Sequence, residues 1–145
     1  MKIYIGNDHT AIEMKKILKA HLENNKFEVI DLGNNDGKSS NYAEYGIEVG
    51  RAVTKDKGSL GIVICGSGIG ISIAANKVNG ARAALVYETQ AAHLARQHNN
   101  ANIVALGARF IANEKAIEIV DEFLNTSFEG GRHEERVKTL DNANG

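Results

Sequence analysis

The sequence predicts an α/β protein, a Rossmann-like three-layer αβα sandwich built on a five-stranded parallel sheet. Three observations carry that expectation. Short apolar runs rich in β-branched residues alternate with helical patterns along the whole chain, the links between them are short, and no Ser/Gly linker, charge block or repeat divides it. Such alternation places successive strands side by side and in parallel, with helices covering both faces of the sheet.

Each element has its own justification. Residues 2–5 are a first strand, which Met1 enters directly without the layout of a signal peptide. Over 12–22, Ile12, Met14, Ile17, Leu18 and Leu22 fall close to helical spacing. Residues 27–32 form the second strand, and a polar loop of Gly, Asn, Asp and Ser occupies 33–40. A helix over 42–53 precedes the third strand at 60–64. After a glycine-rich loop, a helix over 72–77 leads to strand four at 83–86. Residues 88–97 are helical, 103–106 form strand five, 114–124 a further helix, and the charged segment 132–140 the last one. The chain is expected to be one domain over 1–145.

At 145 residues the chain can bury roughly 68–70% of its unfolded surface. A formal net charge of −1 supplies no basic field for general nucleic-acid binding. No apolar run approaches the roughly 20 residues that span a bilayer. The single cysteine cannot form an internal disulfide, and an exposed thiol fits a reducing compartment. A cytoplasmic location is expected.

The richest stretch is Leu60-Gly61-Ile62-Val63-Ile64-Cys65-Gly66-Ser67-Gly68-Ile69-Gly70-Ile71-Ser72. A buried strand empties into a tight loop and then a helix start, an order that presents backbone N–H groups to anions. In a parallel sheet, ligands sit beyond the C-terminal strand ends at the point where the winding reverses. That rule puts Asn7-Asp8-His9 and residues 65–70 at one edge.

Every candidate there has a plain structural alternative. Cys65 is either a small core residue or, near a helix N-terminus, a thiolate serving as base or nucleophile. Asp8 either caps the following helix or joins His9 in proton transfer or phosphate binding. His98, at a helix end, suits the helix dipole as it stands. Arg132 and Arg136 share a helical face after Gly130-Gly131, which fits either a phosphate dianion or a solvated surface. Arg109, after strand five, belongs to the same edge. The dinucleotide fingerprint fails because Ile71 stands where the third glycine is required, although Glu88 lies near the place of a ribose-binding acid. His21 and His93 carry no assigned role. No histidine or carboxylate pair shows metal-ligand spacing, so neither a metal nor a cofactor is expected.

Taken together, Gly6-Asn7-Asp8-His9, residues 64–72 with Ala74-Ala75-Asn76-Lys77, Arg96-Gln97-His98-Asn99, and residues 129–137 (Glu-Gly-Gly-Arg-His-Glu-Glu-Arg-Val) resemble the ribose-5-phosphate isomerase type B family, which includes galactose-6-phosphate isomerase subunits. The resemblance covers nearly the whole chain. It implies a metal-independent aldose–ketose isomerase in which Cys65 removes the C2 proton of an opened sugar phosphate. Asp8 and His98 assist ring opening, and Ser67 (usually threonine) moves protons between O1 and O2. The amides of Gly66, Gly68 and Gly70 stabilise the enediolate. His9, Arg109, Arg132 and Arg136 bind phosphate, Asn99 holds sugar oxygens, and Tyr42 lies beside the sugar.

The resemblance also implies a homodimer whose site takes Cys65 and His98 from different subunits, with the last helix, about 131–141, at the interface. Family members often pair such dimers further. Three positions depart from the pattern: Asn41-Tyr42-Ala43 in place of Asp-Tyr-Pro, Ser67 in place of threonine, and Thr10-Ala11 in place of a glycine-containing pair, the last expected to have no chemical consequence. Substrates of six carbons, allose or galactose 6-phosphate, stay open beside the pentose. A non-catalytic nucleotide-binding module and a thiol redox protein are the remaining classes, the latter lacking a second cysteine to resolve an oxidised Cys65.

Overall fold

The computed structural model describes residues 1–143; Asn144 and Gly145, the end of the domain expected over 1–145, lie outside the described residues. In chain order the elements are β1 (Lys2–Asn7), α1 (Ile12–Asn24), β2 (Glu28–Asp31), α2 (Tyr42–Lys55), β3 (Leu60–Cys65), α3 (Ile69–Asn76), β4 (Ala83–Leu85), α4 (Thr89–Gln97), β5 (Ile103–Gly107), α5 (Asn113–Asn125) and α6 (Arg132–Asp141). The strands form one parallel sheet in the order β2-β1-β3-β5-β4.

Burial explains that order. β3 and β5 are buried at every residue, as strands covered on both faces must be, and they take the interior of the sheet. The shorter β2 and β4 are only partly buried and form its edges. One core layer joins the sheet to α1, α4 and α5 through Leu18, Leu22, Ala92, Ile119 and Phe123. The other joins it to α2 and α3 through Val49, Val53, Ile71 and Ala75. The expected αβα sandwich with five parallel strands is what the chain forms. α1 and α3 lie on opposite faces, so the winding reverses between β1 and β3, and a crevice opens at the ends of those strands.

Two boundaries differ in ways that bear on the site. β1 and β3 run on through Asn7 and Cys65, because Asn7 pairs with Ile64 and Cys65 with Gly107. α3 begins at Ile69 instead of residue 72, so Gly70 lies within its first turn. The glycine has a packing reason. A Cβ on Gly70 would overlap the Tyr42 ring, which lies directly against it.

Below the crevice, Lys15 is fully buried. Its Nζ donates to Asn7 Oδ1 at 3.1 Å, the Asn34 carbonyl at 3.3 Å and Asn35 Oδ1 at 2.6 Å, and pairs with Asp31 Oδ2 at 3.0 Å. A buried ammonium is tolerated only when its protons are satisfied in this way. The pair ties the end of β1 to the end of β2.

Candidate active site

A cavity of about 550 Å³ lies at the C-terminal ends of β1, β3 and β5, lined by Asp8, His9, Tyr42, Cys65, Ser67 and Arg109, with Thr10, Gly66, Gly70, Ile69 and Ile73. The loops that carry these groups continue the sheet's backbone pairing. Asp8 N–H donates to the Ile64 carbonyl at 3.2 Å, Ala108 N–H to that of Cys65 at 2.9 Å, and Arg109 N–H to that of Gly66 at 2.9 Å. Loops tied in this way keep their backbone in register with the strands they follow.

Cys65 ends β3, buried to 5% exposure, yet it lines the cavity. Its sulfur accepts the Gly68 N–H at 3.1 Å. That N–H can point back because Gly68 has φ +81°, and a Cβ there would also meet the Leu106 carbonyl at 2.8 Å. Gly68 therefore serves the sulfur and does not line the cavity, whereas Gly66 and Gly70 do. Ser67 Oγ accepts the Ile69 N–H at 3.1 Å, which leaves its own hydroxyl proton to donate.

Asp8 is almost fully buried. Of the two readings open for Asp8, capping of α1 is excluded, since the cap position is Ala11 with no side-chain bond. Asp8 Oδ1 instead accepts both the Thr10 N–H at 3.0 Å and the Thr10 hydroxyl at 2.6 Å. Thr10 thus has a chemical consequence that was not expected of it: it fixes the carboxylate and lines the cavity. His9 is fixed equally well. Ser40 N–H donates to His9 Nδ1 at 3.1 Å, so in the neutral ring the proton sits on Nε2. Asn41 caps α2 by accepting the Ala43 N–H at 3.0 Å, which keeps the role an aspartate would have there. The Arg109 guanidinium lies over Gly66, whose added Cβ would be 3.2 Å from Arg109 Cζ.

Besides Gly68, four expected site residues are not in this cavity. Asn99 lines a separate cavity with Arg82, Ala84 and Leu140, beside β4. Arg132 and Arg136 are exposed on α6, which buries only Val137. His98 caps the C-terminal end of α4, stacked on His133 with ring centroids 4.4 Å apart. Its Nε2 is 3.8 Å from Glu129 Oε2, and His133 Nε2 is 3.7 Å from the same oxygen. Burial, then the charges of Arg132 and His98, hold the His133 imidazole below its usual value of 6.5. The three groups lie close enough together to hold a metal ion, which corrects the expectation that no ligand set exists. The signal was hidden because residues 98 and 129 are brought together only by the fold. Glu88, the acid required by the dinucleotide reading, pairs with Lys115 at 3.3 Å and does not line the cavity.

Sequence reading missed Ile69 and Ile73. They stand 48% and 55% exposed beside the cavity, on the first two turns of α3, and Phe110, in the loop after β5, is 64% exposed. Apolar residues at spacing four on a helix with few polar positions were the available signal.

Comparison with known proteins places this geometry. Residues 3–140 match the family model described as Ribose/Galactose Isomerase. A probable ribose-5-phosphate isomerase B of Mycoplasma pneumoniae is 47% identical over 136 residues, covering 93% of this chain and 90% of that one. Among solved structures, ribose-5-phosphate isomerase B of Clostridium thermocellum superposes with a TM-score of 0.97 at 44% identity, covering 99% of this chain and 97% of that one. The enzyme of Mycoplasma genitalium, solved with bound ribulose-5-phosphate, superposes with a TM-score of 0.96 at 43% identity, covering 99% and 95%. With matches along nearly its whole length, this chain belongs to the ribose/galactose isomerase family.

Proposed function

We propose that this protein interconverts ribose 5-phosphate and ribulose 5-phosphate by proton transfer through a cis-enediolate, with Cys65 as general base and without a metal or cofactor. The observation that carries this reading is the convergence of a thiol, a hydroxyl, a carboxylate, an imidazole N–H and a guanidinium on one cavity at the reversal of the winding. The relative from Mycoplasma genitalium, whose structure holds ribulose-5-phosphate, supports the substrate.

The Cys65 thiolate takes the proton from C2 of the open aldose. The C–H electrons form the C1–C2 double bond and the carbonyl electrons move to O1. The thiol returns the proton to C1, and the carbonyl is left at C2. Ser67, with its hydroxyl proton free, carries a proton from O2 to O1. Amides of the Gly66–Gly70 turn other than those of Gly68 and Ile69, which bond Cys65 and Ser67, stabilise the developing charge. Asp8, held through one oxygen by Thr10, keeps the other for the ring oxygens. His9 and Arg109 grip the phosphate, so that binding energy far from C2 positions C2.

His98, Asn99, Arg132 and Arg136 enter the same site from a second copy of the chain. The separation of His98 and α6 from the Cys65 cavity within one protomer supports this arrangement. So do the exposed apolar side chains of Ile69, Ile73, Phe110 and Leu140, which a homodimer, or a pair of dimers, would cover. No helix among the described residues is long and apolar enough to cross a membrane. A cytoplasmic site of action fits the free thiol.

The test is turnover of ribose 5-phosphate beside allose and galactose 6-phosphates, in EDTA, with Cys65→Ala in parallel. Activity on the pentose that Cys65→Ala abolishes is expected. Activity confined to a hexose phosphate would keep the chemistry and replace the substrate, and activity that survives the substitution would remove the base.

A further inference from the structure

We infer that His98, Glu129 and His133 form a binding site for a divalent transition ion, of which Zn²⁺ is the best fit, and that loading it shuts off isomerisation. Their ligand atoms, two imidazole nitrogens and one carboxylate oxygen, all lie within 4.8 Å of one another. Two imidazoles and a carboxylate form a borderline-soft donor set that suits Zn²⁺, Ni²⁺ or Cu²⁺ in preference to Mg²⁺ or Ca²⁺, which favour oxygen.

The backbone that carries the three groups is held together. Glu129 N–H donates to the Gln97 carbonyl at 2.9 Å, so the loop carrying the carboxylate is clipped to the turn carrying His98. Gly130 and Gly131, at φ +75° and +57°, turn the chain into α6, and His133 N–H closes that turn on the Gly130 carbonyl at 3.1 Å. Glu129 and His133 are four apart across it. His133 Nε2 is sealed from solvent and has no hydrogen-bond partner among the described residues. A buried ring nitrogen without a partner is costly unless something binds it.

Zn²⁺ with ligands at ~2.0–2.2 Å needs them about 3.4 Å apart in a tetrahedron. The two nitrogen–oxygen separations, 3.8 and 3.7 Å, must therefore close by a few tenths of an ångström. The rings, 10° from parallel, must also tilt until both planes meet at the ion. Glu129, 49% exposed, and His98, 35% exposed at a helix end, are the groups that move. Solvent supplies the remaining position of the ion.

The inhibition rests on the reading above that His98 serves ring opening: an imidazole whose Nε2 is bound to Zn²⁺ cannot exchange a proton through that atom. Binding does not rest on it. The two are therefore tested separately, on untagged protein stripped with EDTA and dialysed. Zn²⁺ alone is titrated against a chromogenic indicator, and Co²⁺ is added as a spectroscopic probe. The expected result is one ion per protomer, weakened at least tenfold by Glu129→Gln and by His133→Gln. The Co²⁺ form should show d–d bands and no sulfur-to-cobalt charge transfer.

Added Zn²⁺ should suppress turnover of ribose 5-phosphate and EDTA should restore it. The inhibitory midpoint should rise at least tenfold in both variants, each measured against its own turnover in EDTA. Binding that both variants leave unchanged, or a sulfur-to-cobalt band lost in Cys65→Ala, would place the ion on Cys65 and overturn the site. Ion binding at these three residues with no turnover of any sugar phosphate would leave the site standing and overturn the inhibition together with the isomerase reading.

Discussion

The Gly68 N–H points at the Cys65 sulfur, 3.1 Å away, across a turn that only a left-handed residue can make. Gly68→Ala must either hold an alanine at φ +81° against the Leu106 carbonyl or release that turn. A loss of about 2 kcal/mol or more in urea unfolding is expected, since a strained positive φ alone costs about 1–3 kcal/mol. Turnover should fall more than the folded fraction does. A variant of normal stability and activity would show that the turn does not hold the sulfur.

His9 should carry its proton on Nε2. Ring ¹⁵N shifts of the neutral imidazole report the tautomer directly. Because the bond that fixes it comes from the Ser40 backbone, Ser40→Ala should leave both tautomer and KM nearly unchanged. His9→Ala should raise KM for the sugar phosphate about tenfold or more, the loss of one hydrogen bond to a charged group being about 1.5–3 kcal/mol.

Mixing subunits tests the proposed sharing of the site between two copies. Cys65→Ala and His98→Ala homodimers should each be inactive. Exchanged at equal amounts, half the dimers are mixed, and each mixed dimer rebuilds one of its two sites, giving about one quarter of normal activity. Verified exchange with no recovery would place both groups in one protomer's site. Arg132→Ala with Arg136→Ala should chiefly raise KM.

Ile73→Asp introduces a charge where an exposed apolar side chain stands beside the cavity. The variant should elute as a monomer, keep its helical circular dichroism and lose activity. An active dimer would show that this face does not meet a second copy.

Asp31 supplies a pH dependence of stability. Burial raises its pKa, but the Gly33 N–H and the Lys15 ammonium outweigh that and leave it below its ordinary 3.8. A carboxylate with a depressed folded-state pKa stabilises above its unfolded pKa and loses that contribution as pH falls through the folded value. The stability gap between the native chain and Asp31→Asn should be full at pH 7 and shrink steadily below about pH 4. A gap constant from pH 7 to pH 2 would remove Asp31 as its source.

What the sequence made legible was whatever rests on local pattern. Residues 60–64 and 103–106 read as buried strands because nearly every side chain is apolar, and both lie in the interior of the sheet. The pairing of Asp8-His9 with Cys65 at one edge followed from strand ends alone. The start of α3 was misplaced because Gly70 weakens a helix signal, and its reason, the Tyr42 ring, is tertiary. A cap stayed open for Asp8 because cap and Asx turn share one sequence signature, and the Thr10 bonds distinguish them. Lys15 on the apolar face of α1 and the Glu129 partnership of His98 depend on distant segments, which periodicity does not report.

The hydrogen bonds that carry pairing beyond β3 and β5, from Ala108 to Cys65 and from Arg109 to Gly66, tie the backbone under the thiol and the backbone under the guanidinium into one ladder. On the proposed assignment those two groups touch opposite ends of the sugar, so their separation works as a ruler for carbon-chain length. The backbone ladder itself does not lengthen for a longer sugar. Any change of substrate in this architecture would come from the groups supplied opposite the ladder, and redesign for hexoses belongs there, with the β3–β5 loops left alone.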